Sequence, residues 1–122
     1  MIQQNMENNS TITKYEYHDS VIEKIEFNEN ILVFYIDLYE VFYKNKPQIK
    51  LCFNVTHKID KCKYWVSKVI EEYDDDENYF GIRIDAINVY KEKENLYNCY
   101  IECNCIDKLK FKSSFVEEIE QN

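Results

Sequence analysis

His18-Asp19-Ser20 sets the three residue types of a nucleophilic triad side by side. Such a triad works only when the carboxylate orients the imidazole and the imidazole takes the hydroxyl proton. Neighbouring strand residues point to opposite faces, so Asp19 is not expected to aim His18 at Ser20. A nucleophile elbow needs glycines on both sides of its serine, and Gly81 is the one glycine in the chain. The expected role of Asp19 and Ser20 is hydrogen bonding to local backbone where a turn leads into a strand. His57 is the other histidine, placed at the end of a strand pattern. A cysteine–histidine pair is arithmetically available, but the thiols fall on apolar strand faces, where burial raises a thiol pKa and silences it. No catalytic residue is assigned, and the chain is expected not to be an enzyme.

Five cysteines occur, Cys52, Cys62, Cys99, Cys103 and Cys105. Structural zinc sites draw on closely spaced cysteine pairs from knuckles. Here Cys103 and Cys105 flank a single residue, and Cys52 and Cys62 are far apart in sequence. Cys99, Cys103 and Cys105 share a parity with Ile101, which makes them small core hydrophobes on one strand face. Glu71, Glu72, Asp74, Asp75, Asp76 and Glu77 form a dense acidic run. Asp74, Asp76 and Asn78 match the first three ligand positions of a calcium loop. The position that requires glycine is Tyr79, and the closing position is Asp85 instead of Glu, so the loop fails. A glycine-rich phosphate cradle is equally out of reach. No metal and no cofactor are expected. Two readings of the run remain. It is a solvated loop, or an acidic patch flanked by the aromatic anchors Tyr73 and Tyr79 that docks a basic surface.

The 122 residues are 45% hydrophobic and 31% charged, which suits one globular domain. Lys and Arg number 15 against 23 Asp and Glu, a formal charge of −8. That field opposes phosphate backbones and anionic lipid and favours basic partners. Tyr39, Tyr43, Tyr90 and Tyr100 are expected on sheet faces, where rings could stack bases. With Arg83 as the lone arginine there is no basic groove to hold the strand, so nucleic acid is excluded. Met1 to Ser10 is Gln- and Asn-rich and unlike a secretory signal. The longest uncharged apolar run, Ile31 to Ile36, is far short of the ~20 residues that span a bilayer. An odd cysteine count without an export signal points to reduced thiols in a cytoplasm.

Period-two alternation dominates the chain. Ile49, Leu51, Phe53 and Val55 alternate with polar neighbours, as do Tyr97, Cys99, Ile101 and Cys103, and then Leu109, Phe111, Ser113 and Phe115. Residues 96–105 and 108–116 predict one hairpin, and 20–28 and 31–43 another. Ile31 to Phe42 is apolar on both parities and would stretch about 40 Å, so a break is expected near Asp37 to Glu40. Phe80, Ile82, Ile84 and Ala86 share a parity that Ile87 and Val89 then abandon, which predicts a bulge or a change of sheet. Cys62, Trp65, Val66, Val69, Ile70 and Tyr73 recur at helical spacing and predict a helix over 61–73, with Asp60 at its N-cap. Asn and Asp must make most turns, since they tolerate the left-handed conformation. Residues 1–11 are expected to be a frayed tail and 12–122 a single β-rich domain. The expected fold is a mainly-β antiparallel sandwich or partly open barrel of about six or seven strands with one helix.

Tyr17-His18-Asp19-Ser20-Val21-Ile22-Glu23-Lys24-Ile25, followed by an Asn turn and Ile31-Leu32-Val33, resembles the opening of a group of small bacterial domains that begin with a His-Asp-Ser step into a hairpin. Leu51-Cys52-Phe53-Asn54-Val55 is similar to their middle strand and Leu109-Lys110-Phe111-Lys112-Ser113 to their last. Some members are classed as immunity proteins of polymorphic toxin systems. The resemblance implies a compact antiparallel domain that acts by binding and brings no catalytic residues. The expected function is a cytoplasmic immunity-type inhibitor that occludes a basic toxin domain. The alternatives are a structural module that forms a homodimer and a small-ligand-binding β-barrel.

Overall fold

The computed structural model describes residues 11–45, 48–73, 81–104 and 106–121. Six strands and one helix follow in order: β1 (Val21–Asn28), β2 (Ile31–Asp37), β3 (Gln48–His57), α1 (Ile59–Tyr73), β4 (Ile82–Lys93), β5 (Leu96–Cys103) and β6 (Leu109–Gln121). The strands form one antiparallel sheet in the order β1-β2-β3-β6-β5-β4, closed into a barrel. Two three-stranded meanders thus meet edge to edge. The β3–β6 junction is long, running from Gln48↔Gln121 to His57↔Lys112. The β1–β4 junction has two residue pairs, Val21↔Arg83 and Ile22↔Ile82. The expected mainly-β fold is therefore a barrel, with a short seam on one side.

Residues 11–20 fill that seam. Ile12 donates its N–H to the Val89 carbonyl, Asp19 donates to Ile84, and Ile84 donates back to Ser20, all at 2.8 Å. The Val89 N–H finds the Thr11 hydroxyl at 2.9 Å. A strand edge that would otherwise offer unpaired groups is covered by its own chain. Thr11, placed in the frayed tail by sequence, is thus tied to β4.

The predicted breaks occur where the pattern placed them. β2 stops at Asp37. The phase change in β4 is a register shift between Ile84 and Ala86. Among the other register shifts, one lies in β6, between Ser113 and Val116 opposite Val55 and Phe53. Buried Ser113 holds it: its Oγ accepts the Asn54 N–H at 2.9 Å and donates to the Phe115 carbonyl at 2.5 Å. Beyond this bulge β6 runs on to Gln121, and the even positions Val116, Glu118 and Glu120 take the parity that Leu109 and Phe111 held before it.

Apolar side chains fill the barrel. Phe34, Phe53 and Phe111 make successive edge contacts with ring centroids 6.0 and 5.1 Å apart. Trp65 meets Phe34 at 6.2 Å and brings α1 against one end of the barrel. The buried helical stripe is Cys62, Trp65, Val66 and Val69; Ile70, expected within it, is exposed. Asp60 lies inside the first turn, not at the cap, because the helix begins one residue earlier and the Lys58 carbonyl already accepts the Cys62 N–H. Left-handed backbone occurs at Asp19 and Asn95, as expected of such residues, but also at Glu29 and Lys58. Tight two-residue turns and the step into α1 impose that conformation whatever the side chain. Among the described residues no helix is long and apolar enough to cross a membrane.

Candidate functional site

His18 and Asp19 sit in a turn, so the strand-alternation argument against their contact does not apply. His18 Nε2 lies 3.5 Å from an Asp19 carboxylate oxygen, and His18 Nδ1 lies 2.9 Å from the Asp85 carbonyl. Asp19 also faces Arg83 Nε at 3.8 Å. The imidazole pKa is raised, first by the Asp85 carbonyl and then by the Asp19 charge. The third residue does not join them. Ser20 is fully buried, and its Oγ accepts the Tyr39 N–H at 2.9 Å. Ser20 therefore pins the chain after β2 to the start of β1, a longer-range role than the local backbone bond expected. His57, exposed at the end of β3, has Nδ1 2.9 Å from the Thr56 hydroxyl.

The thiols behave as core groups. Cys52, Cys62, Cys99 and Cys103 are free and buried. Burial pushes Cys62 and Cys103 up to about 12 and raises Cys99 and Cys52 as well. Among the described residues no three His, Cys, Asp or Glu side chains converge as a metal site would require. Of the acidic run, Glu71 and Glu72 are exposed in the last turn of α1 and Tyr73 ends the helix. Asp74, Asp75, Asp76, Glu77 and Tyr79, with the failed calcium loop, lie outside the described residues. Tyr90 and Tyr100 do share the outer sheet face, 5.7 Å apart. Tyr39 and Tyr43 do not, because β2 ends before them.

The structure adds a surface that the sequence concealed. The chain leaves β2 at Asp37, buries Leu38, and then turns with Val41 68% and Phe42 48% exposed. Tyr39 and Tyr43 brace Phe42 from either side, with ring centroids at 5.3 and 6.4 Å and both contacts edge-on. Tyr43 also packs against Tyr15 at 5.6 Å, and its hydroxyl accepts the Glu16 N–H at 2.8 Å. The knob is thus an apolar tip on an aromatic base bonded to the barrel. Val41 and Phe42 belong to the long apolar run Ile31 to Phe42, which reads as strand. The available signal was the break at Asp37 to Glu40, which detaches its last residues from the sheet.

Carboxylates surround this end. The Gln48 amide reaches Asp37 at 3.2 Å and Glu23 at 3.3 Å. Glu16 adjoins Tyr43, and Glu40 precedes Val41 directly in the chain. The sheet register sets Asp37, Gln48 and Gln121 side by side, so the end of β6 with Glu118 and Glu120 belongs to the same rim. The opposite end, closed by α1, carries lysines: Lys61, Lys68, Lys108 and Lys110 line a depression beside Trp65. Lys14, 3.9 Å from Glu120, and Lys44, directly after Tyr43, stand among the carboxylates of the first end, and Glu72 and Asp107 line the depression. The lysines at the α1 end are thus a local cluster on a chain of net charge −8.

No protein-family model, no curated protein and no solved structure matches this chain.

Proposed function

We propose that this chain is a protein-binding domain of immunity type, which holds a basic toxin domain at the acidic end of its barrel. The observation that carries this reading is the exposed Val41–Phe42 tip inside a rim of carboxylates. Bulky apolar anchors on a rigid aromatic support are what protein interfaces use for affinity, while surrounding charge gives orientation and rate. The edge contacts of Tyr39 and Tyr43 fix Phe42 before a partner arrives, so little ordering entropy is lost on docking. The reading also fits the resemblance of the His18-Asp19-Ser20 region to domains that include immunity proteins, and it places the protein in a cytoplasm.

Phe34, Phe53 and Phe111 pack against one another in the buried core, which favours a surface function over a ligand held inside. The test is co-expression with toxin domains encoded beside the gene. Protection is expected, together with a complex that survives gel filtration. Val41→Asp combined with Phe42→Asp should remove both while leaving the melting curve in place. If the wild type neither protects against nor binds any such domain, the proposal fails. If the tip serves instead to pair two copies of the chain, sedimentation of the free protein will show a dimer that the same double substitution dissociates.

A further inference from the structure

We propose that the groove between α1 and the turn from β5 to β6 receives an acidic segment of a protein partner, one carrying a bulky apolar side chain. This second surface lies at the other end of the barrel from the Val41–Phe42 tip and does not depend on it. The groove encloses about 600 Å³, room for a few side chains. The apolar surface it offers is mainly the exposed Tyr64 ring and half-buried Ile106, with Trp65, Val69 and Leu109 almost wholly covered behind them. Trp65 is held rigidly, because its indole N–H donates to the Asp107 carbonyl at 2.7 Å. Around this surface stand Lys61, Lys68, Lys108 and Lys110.

Two of these lysines have distant, solvent-exposed partners: Lys68 lies 3.9 Å from Glu72, and Lys108 lies 3.9 Å from Glu102. Pairs of that length in water are weak and exchange readily for better ones. Four lysines against Glu72 and Asp107 leave the lining locally positive on a chain of charge −8, and screening isolates it from the far end beyond roughly 8–10 Å. Charge complementarity then asks for carboxylates, and the apolar surface asks for an apolar residue between them.

A nucleic acid fits less well. Glu72 and Asp107 also line the groove. A peptide can meet these carboxylates with backbone N–H groups, whereas a phosphodiester offers no donors. Base stacking needs open ring faces, and of the two rings in the groove only Tyr64 is exposed, at 67%.

The experiment uses the full chain and a fluorescein-labelled peptide, Asp-Glu-Asp-Leu-Phe-Asp-Glu-Asp. Polarisation follows the peptide, and emission from Trp65, the single tryptophan, follows the groove. Saturable binding with a change in Trp65 emission is expected. Lys61→Glu with Lys110→Glu should weaken it by roughly tenfold or more. Replacing the central Leu-Phe of the peptide by Ser-Ser should do the same. Lys61→Ala with Lys110→Ala gives a milder loss in the same direction and stands in if the reversed pair unfolds. Absence of saturable binding, or binding indifferent to the lysines, overturns the proposal. Tighter binding of a fluorescein-labelled oligothymidylate than of the peptide also overturns it, in favour of nucleic acid.

Discussion

The Tyr17 hydroxyl donates to a Glu118 carboxylate oxygen at 2.5 Å and so ties the start of the domain to its last strand. The same carboxylate accepts the Lys14 N–H at 2.8 Å and the Tyr15 N–H at 3.3 Å. The Tyr15 hydroxyl is bonded to Glu120. One acidic side chain thus collects three donors from the segment that seals the barrel seam. It reaches them because the bulge at Ser113 turned the even positions of β6 to that side.

Glu118→Ala is expected to destabilise the protein by roughly 2–3 kcal/mol, because hydrogen bonds to a charged acceptor are strong and the loss strands donors in a partly buried site. Glu118→Gln, which keeps an acceptor oxygen, should cost less. Urea denaturation measures both. A value for Glu118→Ala indistinguishable from wild type would show that the seam is held by packing alone.

Alkaline pH should weaken the same contact. Burial, and then the Glu118 carboxylate, raise the Tyr17 pKa well above its ordinary value. A raised pKa means that the native state keeps its proton while the unfolded chain loses one near pH 10. The contribution is therefore complete below about pH 10 and declines as pH rises beyond it. Tyr17→Phe should flatten that part of the stability profile, as read from thermal melts between neutral and strongly alkaline buffer.

His18 makes a smaller contribution of the same sign at lower pH. Its raised pKa reflects the Asp85 carbonyl and the Asp19 carboxylate. The stabilisation is present below about pH 6.5 and fades as pH climbs through the native value. Exposure of the ring keeps it modest. NMR titration should place the His18 midpoint above the reference histidine value, and Asp19→Asn should move it down. His18→Gln is expected to leave binding to the partner intact, since the ring belongs to a turn contact. Loss of binding with the fold retained would assign it a direct role.

Thiol labelling tests the core. Cys62, Cys99 and Cys103 are raised by burial in the hydrophobic core, so a thiol reagent at neutral pH should reach them only on unfolding. Peptide mapping by mass spectrometry distinguishes the sites. Rapid native labelling of any of these three would show that the barrel opens locally.

Phe53→Ala should cost about 3–5 kcal/mol, because Phe53 is fully buried between Phe34 and Phe111 and the neighbours cannot close the gap. Phe42→Ala, by contrast, should shift stability by under about 0.5 kcal/mol while weakening a partner complex. Chemical denaturation of both variants separates a core ring from a docking ring.

The strands, the hairpin between β5 and β6, the helix and the bulge in β4 were legible because each is a local periodicity that a short window of residues carries by itself. Burial of Cys99 and Cys103 followed from strand parity and that of Cys62 from helical spacing, whereas Cys52 is buried on the parity that reads as polar. The acidic balance was legible as a sum, but the gathering of four lysines beside one groove was not. Lys61 and Lys110 lie on different elements, and only the folded barrel brings them to one groove. Tertiary structure likewise decided that Val41 and Phe42, apolar like the strand before them, stand in solvent, since the break at Asp37 releases them from the sheet. It also decided that Glu118 faces Tyr17, because a single bulge at Ser113 reverses every later side chain in β6. Local pattern fixes what a segment becomes; which distant segments then meet depends on register, closure and bulges, and these are set by the whole chain packing at once.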